Sequence, residues 1–410
     1  MLNNELIRKD FPMLQNNPEL IYLDSGATSL KPQCVIDSLN QFYTHITSNV
    51  HRGDYPISAK VSSMYDNVRN KVANFIHAES HKEIVFTSGA TQGLNWIAYG
   101  YGKKILTQND VILTTYLEHA SNILPWFIVA KETESRIVYI PCDSLGRIDM
   151  EAYGQLLATL PVKVVVIAGM SNVLGYVQPL QQLSEMAHRN GSVFVVDGAQ
   201  SVPHVPTNVK VDDIDFLAFS AHKMCGSSGV GVLYGKKALL DSIDPLLLGG
   251  GSNARFNDDG QIILKETPEK FEAGTPNIEG VLALGSAVDY LMQIGMNNIE
   301  HYETELKNYA MEQLNQLDNV VVYNGESHSG LISFNVDGIF AQDAAAYLAS
   351  KNIAVRTGNH CAKLIDHVMG VNESIRASMY FYTSKQDIDA LVSALKDITL
   401  EKCIDAAFTL

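Results

Sequence analysis

Short apolar segments alternate with helix-length segments between residues 83 and 234, and this alternation restricts the fold more than any other feature of the sequence. The segments predicted as strands are 83–87, 111–114, 136–140, 163–168, 192–197, 215–220 and 230–234, and those predicted as helices are 91–101, 121–132, 150–159 and 179–190. This pattern indicates an α/β fold with a mostly parallel seven-stranded sheet and helices on both faces. The short connection before residue 230 predicts that one of the last two strands is antiparallel.

The rest of the chain predicts a second, smaller unit. A hairpin is expected around the Asp259-Gly260 turn, and a long helix over 279–294 then leads onward. Beyond it, the predicted helices are 299–317, 341–351 and 385–399, and the predicted strands are 320–323, 331–336 and 353–356. We therefore predict a large α/β domain over 21–290 and a smaller α+β domain over 291–410, with residues 1–20 packed on the smaller one.

Charge and cysteine content exclude several classes of protein. The formal net charge of −15, with no Lys/Arg run to offset it, argues against nucleic-acid binding. The five cysteines form no C-x-x-C pair, which argues against a disulfide framework and a zinc ribbon, and we predict no metal site. The first residues carry charges and no apolar signal segment, and no stretch approaches about 18 apolar residues. We expect a cytoplasmic protein without membrane contact.

A lysine and an aspartate close two of the predicted buried strands. Lys223 follows the apolar run 215–219, and Asp197 ends the run 192–196. Ligands bind beyond the carboxyl ends of strands in open α/β sheets, and a lysine desolvated there becomes a nucleophilic amine. Taken alone, Lys223 would more often be a solvated lysine at a strand end. A Schiff-base lysine together with a buried aspartate is typical of pyridoxal phosphate sites, where the carboxylate keeps the ring nitrogen protonated.

Two further segments add to this pattern. His119 lies in the segment 117–122, where an imidazole can stack on a cofactor ring and move protons, although a lone histidine in a loop is usually structural. The sequence Gly89-Ala90-Thr91 lies between a predicted strand and a predicted helix, where free amide groups favour an anion. Taken alone, that sequence would more often be an ordinary strand-to-helix turn.

Several short motifs together resemble one family. They are YLDSGAT (22–28), NVHRG (49–53), FTSGATQG (86–93), EHASN (118–122), SNVLG (171–175), VDGAQ (196–200), FEAGTPN (271–277), RTGNHC (356–361) and IRAS (375–378). In this order and spacing they resemble cysteine desulfurases of the SufS type (group II), within the class V aminotransferase-like enzymes. The resemblance runs from about residue 20 to about residue 395, and it implies the PLP-dependent transferase fold type I.

The resemblance also implies roles for individual residues around pyridoxal 5'-phosphate. Lys223 would carry the cofactor covalently, Asp197 would pair with the pyridine nitrogen, Gln200 would contact the phenolic oxygen and His119 would stack on the ring. The residues implied at the phosphate are Thr91, Ser220, His222 and, from the neighbouring subunit, Thr275. The last assignment implies a homodimer.

The resemblance also implies which residues bind the substrate. Arg376 resembles the family's carboxylate-binding arginine, with Asn172 beside it and Arg356 as a second arginine in reach. Cys361 lies in a polar, glycine-containing loop where a thiolate can be exposed, whereas a buried inert cysteine is the commoner state of any one cysteine. The implied reaction converts L-cysteine to L-alanine and leaves a persulfide on Cys361. A sulfur-acceptor protein would collect it for iron–sulfur cluster assembly or another sulfur transfer.

The chain departs from the family pattern at several positions. Asn359 stands where members commonly have the first histidine of Gly-His-His-Cys, and Gln342 stands where some have a histidine used with a zinc-dependent acceptor. The alternatives to a cysteine desulfurase are a selenocysteine lyase on the same scaffold, a class V aminotransferase and a non-catalytic scaffold protein. An aminotransferase has no use for Cys361, and a scaffold would be expected to have lost Lys223 or the cysteine loop.

Overall fold

The computed structural model describes residues 2–407 of the chain. The strands, numbered along the chain, are β1 (Ile21–Tyr22), β2 (Ile84–Thr87), β3 (Val111–Thr114), β4 (Arg136–Tyr139), β5 (Val162–Ala168), β6 (Val193–Asp197), β7 (Phe216–Ser220), β8 (Gly231–Gly235), β9 (Asn253–Phe256), β10 (Ile262–Leu264), β11 (Val320–Val322), β12 (Leu331–Val336), β13 (Ile353–Ala354), β14 (Arg356–Gly358) and β15 (Ser374–Ser378).

Helices cover much of the remaining chain. They are α1 (Asn4–Arg8), α2 (Pro12–Asn16), α3 (Gln33–Gln41), α4 (Pro56–Phe75), α5 (Ala90–Asn95), α6 (Lys103–Ile105), α7 (Ala120–Thr133), α8 (Met150–Thr159), α9 (Leu180–Arg189), α10 (Ser201–His204), α11 (Lys237–Ser242), α12 (Ile278–Ile294), α13 (Met296–Leu314), α14 (Ala341–Ser350), α15 (Asp366–Met369), α16 (Lys385–Asp397) and α17 (Leu400–Ala407). The helices α3 and α5 each continue into a π-helical segment, Phe42–Ile46 and Trp96–Gly102.

The larger sheet has seven strands in the order β2-β8-β7-β6-β5-β3-β4. Its central strands are almost entirely buried, because helices cover both faces and the apolar runs can pack on either side. The strand β8 runs antiparallel to both of its neighbours, and the other pairings are parallel. The predicted α/β fold is therefore confirmed, including the antiparallel strand.

The pairing of residues between neighbouring strands of this sheet brings polar side chains together at one edge. Ala168 of β5 pairs with Asp197 of β6, and Asp197 pairs with Ala218 of β7. Because these strands are parallel, their carboxyl ends meet at the same edge. Lys223 lies three residues beyond the end of β7, on a single 3-10 turn over Ala221–Lys223.

A smaller antiparallel sheet, in the order β11-β12-β15-β14, encloses a second apolar core against α13, α14 and α16. The strands β9 and β10 form the expected hairpin, with Gly260 in the left-handed region of its turn (φ 84°). The N-terminal segment reaches the C-terminal part of the chain, because Arg8 pairs with Asp387 at 2.7 Å.

The division into domains over 21–290 and 291–410, with 1–20 on the smaller one, stays a prediction. Within it, residue 1 and residues 408–410 lie outside the described residues. Among residues 2–407, no helix is long and apolar enough to cross a membrane.

Candidate active site

A cavity of about 250 Å³ opens at the carboxyl ends of β5, β6 and β7. All of the residues proposed from the sequence except Thr275 line it. They are Thr91, His119, Asn172, Asp197, Gln200, Ser220, His222, Lys223, Arg356, Cys361 and Arg376. These side chains come from segments up to 285 residues apart in the chain (376 − 91 = 285), and the sheet register brings them together.

Lys223 and Asp197 form the charged centre of the cavity. Burial lowers the pKa of Lys223 to about 8, and the Asp197 carboxylate opposes that shift. Asp197 is 5% exposed, and its Oδ1 accepts a hydrogen bond from the Ala199 amide at 2.9 Å. Burial raises the pKa of Asp197, while His119 and Lys223 favour its ionised form. A lysine with this pKa is partly neutral near pH 7 and can act as a nucleophile or base.

The turn that carries Lys223 is stabilised by hydrogen bonds to the carbonyl oxygen of the preceding residue, His222. That oxygen accepts from the Ser29 amide and hydroxyl at 3.0 Å, from Thr28 Oγ1 at 3.0 Å and from Lys31 Nζ at 3.1 Å. Burial lowers the pKa of Lys31 to about 8. These contacts fix the peptide next to Lys223. They could not be predicted from the sequence, because residues 28–31 lie about 190 positions from His222 in the chain.

Hydroxyl groups collect where α5 begins. Ser220 Oγ accepts from the Ala90 amide at 2.8 Å, and Thr91 Oγ1 lies 2.8 Å from Ser121 Oγ. Burial lowers the pKa of His222 to about 4, so its imidazole is neutral at pH 7. Hydroxyls beside the first amides of a helix suit a phosphate group. Ser121 was not singled out from the sequence.

His119 is held in one orientation and one tautomer. It is the N-cap of α7, and its Nδ1 accepts from the Ser121 amide at 3.1 Å, which leaves the ring proton on Nε2. Burial lowers the pKa of His119, and the charges of Lys223 and Arg376 lower it further against the opposing effect of Asp197. A neutral ring with a fixed tautomer can stack on a planar ligand and offer a proton from Nε2.

Arg376 and Arg356 form a cationic wall around Asp24. Arg376 is 2% exposed; its Nη1 donates to the Asn172 carbonyl at 2.8 Å, and its Nη2 lies 3.5 Å from Asp24 Oδ1. Arg356 Nε lies 3.4 Å from the same oxygen. Burial lowers the pKa of Arg376 to about 10. Two guanidinium groups share one carboxylate, so the wall keeps a net positive charge suited to a carboxylate ligand. The role of Asp24 was missed from the sequence.

The loop that carries Cys361 is bound at two points, by the turn that follows β5 and by the first residue of α7. Asn172 Nδ2 donates to the His360 carbonyl at 2.8 Å, and the Ala120 amide donates to the Cys361 carbonyl at 2.7 Å. His360 and Cys361 both occupy the left-handed region, with φ 51° and 62°. Cys361 is exposed and lines the cavity, whereas Cys225 and Cys403 are buried. The anchors therefore present the Cys361 side chain at the cavity.

Thr275 lies apart from these residues. Its hydroxyl accepts from Asn49 Nδ2 at 3.4 Å, next to a groove lined by Arg52, Lys265 and Gly274. Thr275 does not line the cavity of its own chain.

The cavity fits pyridoxal phosphate on the donors and acceptors that it presents. The amide oxygen of Gln200 is buried and has no hydrogen-bond partner among residues 2–407, while its Nε2 donates to the Gly26 carbonyl at 2.7 Å. A buried carboxylate, a lysine of lowered pKa and a cluster of hydroxyls at a helix start complete the set. The carboxylate matches a charged ring nitrogen of the ligand, the lysine matches its carbonyl carbon, and the hydroxyls match its phosphate. No group of His, Cys, Asp and Glu side chains in the described part of the chain is arranged to hold a metal ion.

Comparison with known proteins identifies the family of the chain. The family model for class-V aminotransferases matches residues 21–391. The chain belongs to the class-V aminotransferase family. A probable cysteine desulfurase of Halalkalibacterium halodurans is 42% identical over 398 residues, which cover 96% of this chain and 98% of the relative.

Solved structures give the same result. The cysteine desulfurase of Thermococcus onnurineus superposes with a TM-score of 0.92 at 37% identity, and the cysteine desulfurase CsdA of Escherichia coli with 0.89 at 36%. Each comparison covers 97% of this chain and 98% of the other. The predicted class-V family, the similarity to cysteine desulfurases and the predicted fold are confirmed.

Proposed function

We propose that this class-V family member is a pyridoxal phosphate-dependent cysteine desulfurase. It converts L-cysteine to L-alanine and keeps the released sulfur as a persulfide on Cys361. The observation that carries the proposal is an exposed cysteine anchored over the same cavity that holds Lys223 and Asp197. Relatives that are 36–42% identical over nearly the whole chain, and that are named cysteine desulfurases or probable ones, support it.

The cofactor would be held by the residues that surround Lys223. Lys223 would bind its carbonyl carbon, Asp197 its ring nitrogen and Gln200 its phenolic oxygen. Thr91, Ser220 and His222 would hold its phosphate. When bound, pyridoxal phosphate supplies the electron sink that makes the substrate Cα proton removable and the Cβ–S bond breakable.

The chain's own residues would then bind the substrate and move its protons. The guanidinium of Arg376, aligned by its bond to the Asn172 carbonyl, would bind the substrate carboxylate, with Arg356 adding positive charge. Lys223, once released, would take the Cα proton, because its lowered pKa leaves the amine partly neutral. His119 would hold or deliver a proton at Nε2.

Cys361 would receive the sulfur. Its thiolate forms a bond with the substrate sulfur as the substrate Cβ–S bond breaks, and the electron pair of that bond stays with the alanine skeleton, which is then protonated. The product on the protein is a Cys361 persulfide. A sulfur-acceptor protein would collect it, and iron–sulfur cluster assembly is the destination that we propose for a SufS-type (group II) enzyme.

We also propose a cytoplasmic homodimer. Thr275 lies outside its own cavity, which supports a role at the phosphate of the partner's cofactor. On α7, Leu124, Phe127 and Ile128 follow helical spacing on one face and are 37–54% exposed in the single chain, as expected of a surface that a second subunit covers. The cysteines are all unpaired, which supports a reducing compartment.

Gln342 bears on the acceptor. Its Nε2 donates to Glu373 Oε2 at 2.7 Å on the surface. The side-chain amide of Gln342 is a poor zinc ligand. We therefore propose that the acceptor takes the sulfur without Gln342 replacing one of the ligands of an acceptor-bound zinc ion.

The test is alanine formation from L-cysteine by the cofactor-loaded protein and by Cys361→Ser. Cys34→Ser is the matched control, because Cys34 is also exposed but does not line the cavity. We expect alanine from the wild type and from Cys34→Ser, and almost none from Cys361→Ser. Equal rates from all three would refute Cys361 as the acceptor. Turnover of L-selenocysteine by Cys361→Ser at the wild-type rate, with no turnover of L-cysteine by any variant, would point to a selenocysteine lyase.

A further inference from the structure

Three consecutive carbonyl groups of the turn over 172–174 are each bound by a different side chain. The Asn172 oxygen accepts from Arg376 Nη1 at 2.8 Å. The Val173 oxygen accepts from Ser333 Oγ at 2.5 Å, and the Leu174 oxygen accepts from Asn324 Nδ2 at 2.9 Å. A side chain on each of three successive carbonyls fixes the path of this turn, which follows β5 and lines the cavity through Asn172.

The donors belong to the smaller sheet and its connections. Ser333 lies on β12, and Asn324 follows β11; both are completely buried. The turn packs tightly against this region, since a Cβ on Gly175 would lie 2.0 Å from Ser329 Oγ, and Gly175 has a φ of 68°. Hydrogen bonds from the smaller sheet and its connections therefore hold this turn, which follows a strand of the larger sheet.

Asn324 is itself held in place by a buried lysine. Its Oδ1 accepts from the Ser333 amide at 2.9 Å and from Lys307 Nζ at 3.3 Å, and Lys307 Nζ also donates to the Leu331 carbonyl at 2.6 Å. Lys307 is 0% exposed, and burial lowers its pKa to about 7. Burial is the sole cause of that shift, and no charged side chain of residues 2–407 opposes it. The lysine thus acts as a hydrogen-bond donor that orients the Asn324 amide toward the turn.

The same turn contacts both the proposed carboxylate-binding arginine and the loop of the proposed sulfur acceptor. Its backbone aligns Arg376, and its Asn172 side chain donates to the His360 carbonyl in the Cys361 loop. We propose that Ser333 and Asn324 are positioning residues, which set the 172–174 turn and through it the placement of the carboxylate site relative to Cys361. This inference rests on the proposed desulfurase function.

Two variants cut the contacts without enlarging the core. Ser333→Ala removes the bond to Val173. Asn324→Asp keeps the acceptor for Lys307 and the Ser333 amide but removes the donor to the Leu174 and Leu331 carbonyls. Ser192→Ala is the matched control, because Ser192 Oγ donates to the Val162 carbonyl at 2.8 Å and is also buried, at the opposite end of β6 from Asp197.

The measurements are KM and kcat for L-cysteine, the thermal midpoint, and the rate at which iodoacetamide alkylates Cys361 without substrate, followed by mass spectrometry. Losing one buried hydrogen bond changes an equilibrium by on the order of fivefold. We therefore expect KM to rise about fivefold in Ser333→Ala and by at least as much in Asn324→Asp, which loses two bonds, with kcat changed less than about twofold in each. Cys361 alkylation should become at least about fivefold faster in both variants. Ser192→Ala should lower the thermal midpoint and leave KM and alkylation at wild-type values.

The outcomes separate this inference from the function on which it rests. If both variants lose thermal stability while KM and alkylation stay at wild-type values, Ser333 and Asn324 are structural only and the inference is overturned. If the wild type makes no alanine but the variants still alkylate faster than Ser192→Ala, the proposed function fails and the positioning of the Cys361 loop stands.

Discussion

Replacing Arg376 with lysine tests how the proposed site binds a carboxylate. Arg376 is 2% exposed, and its guanidinium uses Nη1 for the Asn172 carbonyl, while Nε has no hydrogen-bond partner among the described residues. The planar fork can therefore keep its contact with Asn172 and still present donors to a ligand. A lysine ammonium at the end of a flexible chain cannot hold the carbonyl and form two parallel bonds to a carboxylate.

The expected loss is one charge-assisted hydrogen bond, about 1.5–3 kcal/mol, which corresponds to a rise of roughly 10- to 150-fold in KM. KM for L-cysteine and the inhibition constant of L-alanine should rise by the same factor, because both ligands carry the carboxylate. Steady-state alanine assays on Arg376→Lys, beside Arg356→Lys, measure both constants. Arg356 is 47% exposed, so we expect a change of at most about fivefold there. A KM for Arg376→Lys within twofold of the wild type would refute the assignment.

Three further variants test the centre of the cavity and its buried surroundings. Asp197→Asn should lower kcat by on the order of a hundredfold, because the amide cannot keep a ring nitrogen protonated, and it should move the pKa of Lys223 further below about 8; a kcat within tenfold of the wild type would contradict this. Lys223→Ala should make no alanine and should lack the absorbance band of a cofactor bound covalently to the protein, with a thermal midpoint within about 3 °C of the cofactor-free wild type. Burial raises the pKa of Glu118 to about 7, so this carboxyl stabilises the fold only while protonated. Its contribution should be lost as the pH rises from about 4.5 through 7, and urea titrations should show Glu118→Gln gaining up to about 3 kcal/mol relative to the wild type over that interval. A difference that does not change with pH would contradict the raised pKa.

The larger sheet could be predicted from the sequence because its strands, apart from the edge strand β4, are buried on both faces. Strands such as β5 and β7 read as unbroken apolar runs, and the residues that follow them are polar and confined to one edge. The strand β15 was not predicted, because the polar/apolar alternation of Ser-Ile-Arg-Ala-Ser includes only two apolar residues, Ile375 and Ala377. Its polar side chains are buried through specific partners, Asn172 for Arg376 and the Gly26 amide for Ser378, and such partners exist only in the folded chain.

The residues of the candidate site also fall into two groups, those that could be predicted from the sequence and those that could not. Residues that do chemistry on a ligand, such as Lys223 and Cys361, carry reactive groups in short motifs and could be named from the sequence. Apart from Asn172, the residues that hold those groups in place could not be named. Lys31 and Asn324 act through backbone carbonyls about 190 and 150 positions away, and a carbonyl gives no signal in an amino-acid sequence. Asp24 lies within a recognised motif, but its pairing with two arginines depends on β14 and β15 being neighbours.

The most direct test of the account is the mass of the peptide that contains Cys361 after the cofactor-loaded protein has met L-cysteine. The account predicts that this peptide gains the mass of one sulfur atom, that a thiol reductant removes the gain and that peptides containing Cys34, Cys142, Cys225 and Cys403 stay unchanged. Alanine formation with no added sulfur on Cys361, under conditions in which a persulfide would survive, would contradict it.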